Sequence, residues 1–308
     1  MNSYLILGGC GFIGRHLVEE ILKNDQKANI KIVDVIEDDN FKSISNINQI
    51  RNSISNILNF DELLSGVDVV YHLISTTTPN DFTNNIEQDI DDTILPTIKL
   101  LETMKKYPNK KFIFVSSGGT VYGECDKFPI KETENLNPIC TYGVQKVCLE
   151  KYIQVYAHLY NVKYIICRLS NPYGIGQNMK KRQGIIPIFV KKILDKELLQ
   201  IWGDGEVIRD YIFIDDAVNA LFLLGKYQGE RHIFNIGSGV GYSINQIVDL
   251  IVKELNTEKP IVEYLQERKC DVKKNILDIS KIMLEVGWSP KRSIEEGVRE
   301  IVEIANKK

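Results

Sequence analysis

A glycine-rich turn near the N-terminus is the feature of this chain that most restricts its fold. The stretch Leu5–Gly14 reads LILGGCGFIG, which places three glycines after an apolar run and before an amphipathic stretch. Gly8 permits a tight turn, Gly11 lets a ligand's phosphates approach the backbone, and Gly14 lets the following helix pack closely. The pattern therefore predicts a strand, a turn and a helix whose N-terminus binds the diphosphate of a dinucleotide.

An acidic residue at the next predicted strand indicates which dinucleotide binds. Asp34 follows Gly14 by 20 residues, at the end of the second apolar run. A carboxylate at this point accepts hydrogen bonds from the adenosine ribose hydroxyls and repels a 2′-phosphate. No arginine or lysine follows directly in the segment DVIEDD, so the sequence favours NAD over NADP.

Short β-branched runs alternate with longer helical patterns, as in a parallel sheet built from crossover connections. The predicted strands are Tyr4–Leu7, Lys31–Val35, Val67–Leu73, Lys111–Ser116 and Tyr164–Leu169, and the predicted helices are Phe12–Leu22, Ile86–Lys106, Tyr142–Tyr160, Ile185–Leu194 and Asp215–Leu224. We expect a kink at Pro96, inside the second helix. Residues Asn40–Asn59 are expected to form an irregular surface connection.

The alternating pattern weakens after Gly174, where loops lengthen and elements shorten. We therefore expect an α/β protein: a Rossmann-type doubly wound parallel sheet with a smaller C-terminal α/β substrate-binding lobe. Residues 1–171 are predicted to form the NAD-binding domain, with 210–236 returning to it. Residues 172–209 and 237–308 are predicted to form the lobe.

Composition excludes several classes of function. The formal net charge of -3 over 308 residues gives no support to nucleic acid as a partner. No apolar run reaches membrane-spanning length, and the N-terminus has no targeting pattern, so we expect a cytoplasmic protein without a membrane partner. The six cysteines and four histidines are scattered, which predicts reduced thiols and no metal site.

A tyrosine and a lysine four residues apart carry the chemical prediction. Tyr142 and Lys146 lie on one face of a predicted helix, where the lysine charge favours the phenolate form of the tyrosine. Such a tyrosine can exchange a proton with a sugar hydroxyl while hydride moves to or from nicotinamide. The other pair with this spacing, Tyr107 and Lys111, contains a proline and runs into a strand.

The segment SSGGTVYG, residues 116–123, ends another predicted strand, at the edge where open α/β sheets bind ligands. A hydroxyl there can hydrogen-bond the reacting sugar oxygen. Ser117 is the predicted residue, although the sequence alone does not separate it from Ser116.

These three elements, in this order, resemble the extended short-chain dehydrogenases/reductases that act on nucleotide sugars, and the resemblance covers essentially the whole chain. It is closest to the UDP-glucose 4-epimerase-like members. The resemblance implies that Phe12, Ile13 and Leu73 also contact NAD. The family's adenine-contacting Asp-Ile pair corresponds to Asn56-Ile57 here. A homodimer is expected on the same ground.

The same resemblance implies a site for the nucleotide diphosphate. NPYG places Asn171 on the diphosphate, and VIRDYIFIDD provides the clamping Arg209. Arg268 belongs to a segment similar to the family's Arg-x-Gly-Asp, with Cys270 in place of the glycine. Asn275 aligns with a position that faces the C2 substituent of the sugar, where a small side chain would leave room for an N-acetyl group.

The active-site turn bears on the reaction. The family's 4,6-dehydratases and decarboxylases carry an acid in this turn, and SSGGTVYG has none. Two reactions at C4 stay open: 4-epimerisation of UDP-hexoses or UDP-N-acetylhexosamines, which we favour, and NAD(P)H-dependent reduction of a dTDP- or other 4-keto-6-deoxy sugar nucleotide. A non-catalytic NAD-sensing protein is disfavoured, because the tyrosine and the lysine are both present.

Overall fold

The structure is a computed structural model that describes residues 2–75, 86–177 and 184–307. The chain divides into two compact units. The first consists of Met1–Ser117, Thr141–Arg168 and Val218–Phe234, and the second of Gly118–Cys140, Leu169–Ala217 and Asn235–Lys308.

The observed division departs from the expected boundaries at two places. Residues 118–140 belong to the second unit, and the segment that returns to the first begins at 218 rather than 210. The reason for the first difference is visible in the backbone pairing. Ile130 bridges Leu277, and its carbonyl accepts a hydrogen bond from the side chain of Asn235. The sequence gives no sign of this long-range pairing.

The elements follow one another in chain order. The strands are β1 (Ser3–Leu7), β2 (Asn29–Asp34), β3 (Ile47–Arg51), β4 (Val69–His72), β5 (Lys111–Ser117), β6 (Lys163–Leu169), β7 (Asn171–Tyr173), β8 (Leu199–Trp202), β9 (Ile208–Phe213), β10 (Ile233–Ile236), β11 (Gly241–Ser243) and β12 (Val262–Leu265). The α-helices are α1 (Phe12–Asn24), α2 (Phe60–Leu64), α3 (Ile86–Asp89), α4 (Leu95–Met104), α5 (Thr141–Tyr160), α6 (Ile185–Leu194), α7 (Ile214–Lys226), α8 (Ile244–Leu255), α9 (Ser280–Val286) and α10 (Ile294–Ala305).

Within the described residues, seven strands form one sheet in the order β10-β6-β5-β4-β1-β2-β3. The pairs around β1, β2 and β4 are parallel. The strand order reverses between β1 and β4, which is the switch point where Rossmann-type sheets bind ligands beyond the carboxyl ends of the strands. The expected α/β fold class is confirmed.

Apolar strands form this sheet because helices cover both faces. Leu5, Leu7, Phe112 and Phe114 are fully buried and pack with residues of α4 and α5 in one hydrophobic cluster. Burial of apolar surface contributes roughly 25 cal/mol per Å². The near-continuous apolar runs are typical of strands buried on both faces.

The stretch Asn40–Asn59 contains more regular structure than we expected. Ile47–Arg51 forms β3, which pairs in parallel with β2 at the edge of the sheet. An edge strand is only partly covered, so its apolar positions are interrupted by Asn48 and Gln49 and its pattern is weak. The expectation of an irregular connection is wrong for these residues.

The helix predicted over Ile86–Lys106 is interrupted, as the proline suggested. A π-helical turn spans Ile90–Ile94, and Pro96 is the second residue of α4. Proline has no N–H to donate, so the helical ladder cannot continue unchanged through this point. The hydroxyl of Thr97 donates to the carbonyl of Thr93 at 2.6 Å, within the interrupted region.

The second unit contains two small sheets, β11-β9-β7 and β12-β8, together with packed helices. Helices α8 and α10 both begin with capping boxes, at Ser243 and Ser293, and each presents one apolar face to the core. Among the helices that the structure describes, none combines the length and the apolar character needed to cross a membrane.

Candidate active site

The glycine turn adopts the geometry that its spacing predicts. Gly8 has a φ of 84°, a left-handed conformation that glycine adopts without strain. A Cβ atom on Gly14 would lie 2.3 Å from the carbonyl oxygen of Gly8 and 2.6 Å from the Cα of Gly9. Only glycine therefore allows α1 to begin this close to the preceding turn.

The N-terminus of α1 provides the donors that a phosphate needs. Gly11 is the N-cap residue, and no side chain caps the helix. A helix end of this kind has unpaired N–H groups and a positive dipole, both of which favour an anion. Phe12 and Ile13, in the first turn, are partly exposed. These residues fit a dinucleotide diphosphate.

Asp34 lies directly against the glycine turn. Its carboxylate accepts a hydrogen bond from the backbone N–H of Cys10 at 3.0 Å. The end of β2 is thereby tied to the turn at the start of α1, which places a carboxylate at the predicted ribose position. The sequence analysis did not predict a neighbouring role for Gln49, whose side chain exchanges two hydrogen bonds with the backbone of Asp38, at 2.8 and 3.0 Å, and lies 3.6 Å from the sulfur of Cys10.

The remaining predicted cofactor residues occupy different environments. Leu73 follows β4, is partly buried, and donates its backbone N–H to Leu7 at 2.9 Å. Ile57 packs against the hydrophobic cluster of the first unit, whereas the neighbouring Asn56 is exposed. Their contacts with the cofactor stay predictions.

Tyr142 and Lys146 lie in the first two turns of α5, on one face of the helix. The Nζ of Lys146 is 5.5 Å from the centroid of the Tyr142 ring and donates to the carbonyl of Val115 at 3.1 Å. The lysine is 2% exposed. The sequence thus brings the two predicted catalytic side chains together, beside the end of β5.

Burial changes the acidity of Lys146. Desolvation lowers the pKa of its ammonium group to about 8, while the nearby Glu150 carboxylate acts in the opposite direction. His72, which is fully buried at the end of β4, has its pKa lowered to about 3 by desolvation and by the charge of Lys146. The imidazole is therefore neutral near pH 7, and the lysine supplies the local positive charge.

The two serines at the end of β5 have different surroundings. Ser116 is buried, and its hydroxyl donates to the carboxylate of Glu150 at 2.5 Å. Ser117 is the last residue of the strand and is partly exposed. Because the hydroxyl of Ser116 is already engaged, Ser117 is the better candidate for binding a sugar hydroxyl.

The sequence analysis did not predict a buried ion pair that lies beneath this site. The guanidinium of Arg168, on β6, lies 2.7 Å from a carboxylate oxygen of Glu150, and the two side chains are 3% and 0% exposed. Glu150 follows Lys146 by four residues, so the helical spacing placed it on the face of Tyr142 and Lys146. That spacing was the available signal.

The predicted diphosphate residues lie in the second unit. Asn171, on β7, donates its side-chain amide to the backbone carbonyl of Asp210 at 3.0 Å. Arg209, on β9, lies 3.5 Å from the carboxylate of Asp271 and donates to the carbonyl of Val272 at 2.5 Å. Arg209 thus lies close to the segment Arg268–Asp271, which the sequence analysis also predicted to bind the diphosphate.

Arg268 is partly exposed to solvent, whereas Asn275 is almost completely buried. The guanidinium of Arg268 stacks 4.2 Å from the centroid of the Trp202 ring. Asn275 is 1% exposed, and its amide donates to the carbonyl of Gly118 at 2.9 Å. The amide is thus held by the backbone, and the expected space for a sugar substituent beside Asn275 stays a prediction.

Comparisons with known proteins agree with this fold. The NAD dependent epimerase/dehydratase family matches residues 4–237. The chain is 34% identical over 300 residues to a proposed UDP-glucose 4-epimerase of Methanocaldococcus jannaschii, covering 97% of this chain and 96% of the relative. It is 33% identical over 311 residues to dTDP-4-dehydro-6-deoxyglucose reductase of Escherichia coli, covering 98% and 96%.

A solved structure of a 4-epimerase has the same fold as this chain. UDP-glucose 4-epimerase of Thermotoga maritima, determined with UDP-glucose, superposes with a TM-score of 0.89 at 36% identity, covering 99% of each chain. Fold and comparisons together define an extended short-chain dehydrogenase/reductase with NAD as its cofactor. The chain belongs to the NAD dependent epimerase/dehydratase family.

Proposed function

We propose that this protein is an NAD-dependent nucleotide-sugar 4-epimerase that acts on a UDP-hexose or UDP-N-acetylhexosamine through a transient 4-keto sugar. The observation that carries the proposal is the pairing of Tyr142 with the buried Lys146, which donates a hydrogen bond to β5 two residues before Ser117. The pair lies in the unit that contains the glycine turn and Asp34.

Each side chain has one role in this proposal. Tyr142 removes the proton from the C4 hydroxyl, and the ammonium group of Lys146 stabilises the phenolate that accepts it. Ser117 donates a hydrogen bond to the same sugar oxygen and orients it. The proton later returns from Tyr142 to the oxygen of the inverted sugar, so the protein ends each cycle unchanged.

The cofactor would be held by the glycine turn, the N-terminus of α1 and Asp34. When bound, NAD supplies the acceptor and donor of hydride at C4. Asp34 favours NAD because a carboxylate accepts from the ribose hydroxyls and repels a 2′-phosphate. Asn171, Arg209 and Arg268 would bind the diphosphate, since an amide and guanidinium groups donate several N–H bonds to phosphate oxygens.

The active-site turn argues against the family's elimination and decarboxylation reactions. Residues 117–123, SGGTVYG, contain no carboxylic acid that could act at C5 or C6. Proton transfer at the C4 oxygen requires only the hydroxyl, the phenol and the ammonium group that are present, and the bound cofactor would take up and return the hydride.

A 4-keto reductase is the second candidate. The specific observation in its favour is the 33% identity to dTDP-4-dehydro-6-deoxyglucose reductase of Escherichia coli, which is close to the identity to the proposed epimerase. A reductase would use the same three side chains, but Tyr142 would act as the acid and reduced cofactor would be consumed in every turnover.

One experiment separates these reactions. Purified protein is incubated with UDP-glucose, UDP-galactose and their N-acetyl forms without added cofactor, and inversion at C4 is followed by NMR. We expect inversion of at least one pair at catalytic concentrations of protein. The epimerase proposal fails if no pair is inverted while a dTDP-4-keto-6-deoxy sugar is reduced with stoichiometric oxidation of NADH.

We also propose that the protein is a homodimer. Val144, Tyr152, Val155 and Leu159 fall on one face of α5 and are between 41% and 59% exposed. A contiguous apolar stripe on a helix is typical of an interface. Light scattering after gel filtration should give twice the monomer mass, and Val155→Lys with Leu159→Lys should give the monomer. A monomeric wild-type protein would refute the proposal.

A further inference from the structure

The face of α5 that bears Tyr142 and Lys146 continues into a buried carboxylate. Glu150 is one turn beyond Lys146 and two turns beyond Tyr142. Side chains at this spacing are neighbours on a helix, with about 5–6 Å between their Cβ atoms. The three residues therefore form one row, which runs from the partly exposed phenol to the fully buried carboxylate.

The carboxylate of Glu150 joins three elements. It accepts from the Ser116 hydroxyl on β5 at 2.5 Å and from the Arg168 guanidinium on β6 at 2.7 and 3.2 Å. Lys146 adds a second tie between α5 and β5 through the Val115 carbonyl. Two successive residues of β5 thus hold the helix, and the next residue is Ser117.

Stability alone is a poor explanation for this ion pair. The desolvation of two buried charges commonly offsets their attraction, and apolar pairs of similar size are often as stable. The pair places a negative charge one helical turn from Lys146, whose pKa is lowered by burial and raised by this carboxylate. Among the described residues, Lys146 also faces Tyr142 on the same helix and His72 on β4, which is neutral near pH 7. The charge of Arg168, behind the carboxylate on β6, opposes that of Glu150.

We propose that Glu150 is a positioning residue for the reaction: it fixes the Tyr142–Lys146 pair relative to Ser117 and keeps Lys146 in its ammonium form. Arg168 and Ser116 hold the carboxylate in place for this role. The inference rests on the proposed function for the identity of the reaction, but the charge state of Lys146 can be measured without any substrate.

The test is an NMR titration of Lys146 in protein labelled with ¹³C at the ε-carbon of lysine, with the resonance identified by its loss in Lys146→Met. In wild-type protein the titration is expected near pH 8. Glu150→Gln should weaken proton binding by Lys146 roughly tenfold, because an adjacent opposite charge is lost. Glu150→Asp retains the charge and should restore the wild-type titration. The exposed Glu19→Gln, on α1, is the matched control and should leave it unchanged.

The turnover–pH profile provides the second measurement. Activity should fall as pH rises through the pKa of Lys146, and this alkaline limb should lie roughly one pH unit lower in Glu150→Gln. A fall in turnover by the same factor at every pH, with an unchanged Lys146 titration, would overturn the inference.

If Glu150→Gln does not fold, the double variant Glu150→Gln with Arg168→Gln removes the uncompensated buried charge and allows the same comparison. Because that variant also loses the opposing charge of Arg168, it is compared with Arg168→Gln, and identical Lys146 titrations in the two variants would also overturn the inference. If epimerisation is never observed but the titration shifts as expected, the proposed reaction fails and the role of Glu150 in charging Lys146 stands.

Discussion

Alanine at either of two glycines of the same turn should weaken NAD binding, but only one of the two variants should lose stability. At Gly14, a Cβ would meet backbone atoms at 2.3, 2.6 and 2.7 Å, whereas ordinary contacts begin at 3.4 Å. The turn and α1 must separate by roughly 1 Å, and overpacking of this kind typically costs about 1–3 kcal/mol of folding free energy. Gly14→Ala should therefore lower the melting temperature by several degrees and weaken NAD binding.

At Gly11, a Cβ would meet a single close neighbour among the described residues, the Gly8 oxygen at 3.3 Å, and the backbone, with a φ of -74°, suits any residue. Gly11→Ala should leave the melting temperature near the wild-type value. It should still weaken NAD binding about 10–100-fold, because a methyl group obstructs a charge-assisted hydrogen bond worth roughly 1.5–3 kcal/mol.

Isothermal titration calorimetry with NAD and thermal unfolding measure the two effects separately. Gly66→Ala is the matched control: its φ of 70° strains an alanine, yet no atom of the residues that the structure describes lies within 4 Å of the added Cβ. Stability should therefore fall while NAD affinity is retained. Wild-type NAD affinity in Gly11→Ala would refute the assignment of the turn to the diphosphate.

Three further predictions concern the chemistry. Tyr142→Phe should reduce turnover roughly 10²–10⁴-fold, as expected for loss of acid–base catalysis. The control Tyr264→Phe, at an exposed tyrosine of the second unit, should leave kcat unchanged. Near-normal turnover of Tyr142→Phe would contradict the proposed mechanism. Asp34→Asn should narrow the preference for NAD over NADP, measured as the ratio of the two dissociation constants, and an unchanged ratio would exclude Asp34 as the determinant. Wild-type kcat should decline as pH rises through about 8, because burial lowers the pKa of Lys146 and activity needs its ammonium form; constant kcat up to pH 10 would contradict this.

Much of the first unit could be predicted from local sequence patterns. The glycine turn, the acidic residue of β2 and the Tyr142–Lys146 spacing all lie within single elements, where 2-residue and 3.6-residue periods decide which side chains share a face. The predicted strands agree with the observed ones to within a few residues at each end.

Features that depend on distant pairing could not be predicted in this way. The edge strand β3 lacks a clear apolar pattern because one side of it has no partner strand. The ion pair of Glu150 could not be predicted in this way, since its partner Arg168 lies on a different element. The contact between Asn275 and the Gly118 carbonyl joins positions 157 residues apart, and no local spacing indicates it.

The central claim, that hydride leaves C4 of a sugar nucleotide and returns to it, is tested most directly with UDP-hexose deuterated at C4. Incubation in ordinary water, followed by NMR of the epimer, locates the label after inversion. We predict that the deuterium stays at C4 of the product and that the labelled substrate turns over more slowly. Loss of the label to solvent would mean proton exchange at carbon, and would contradict a hydride mechanism at this site.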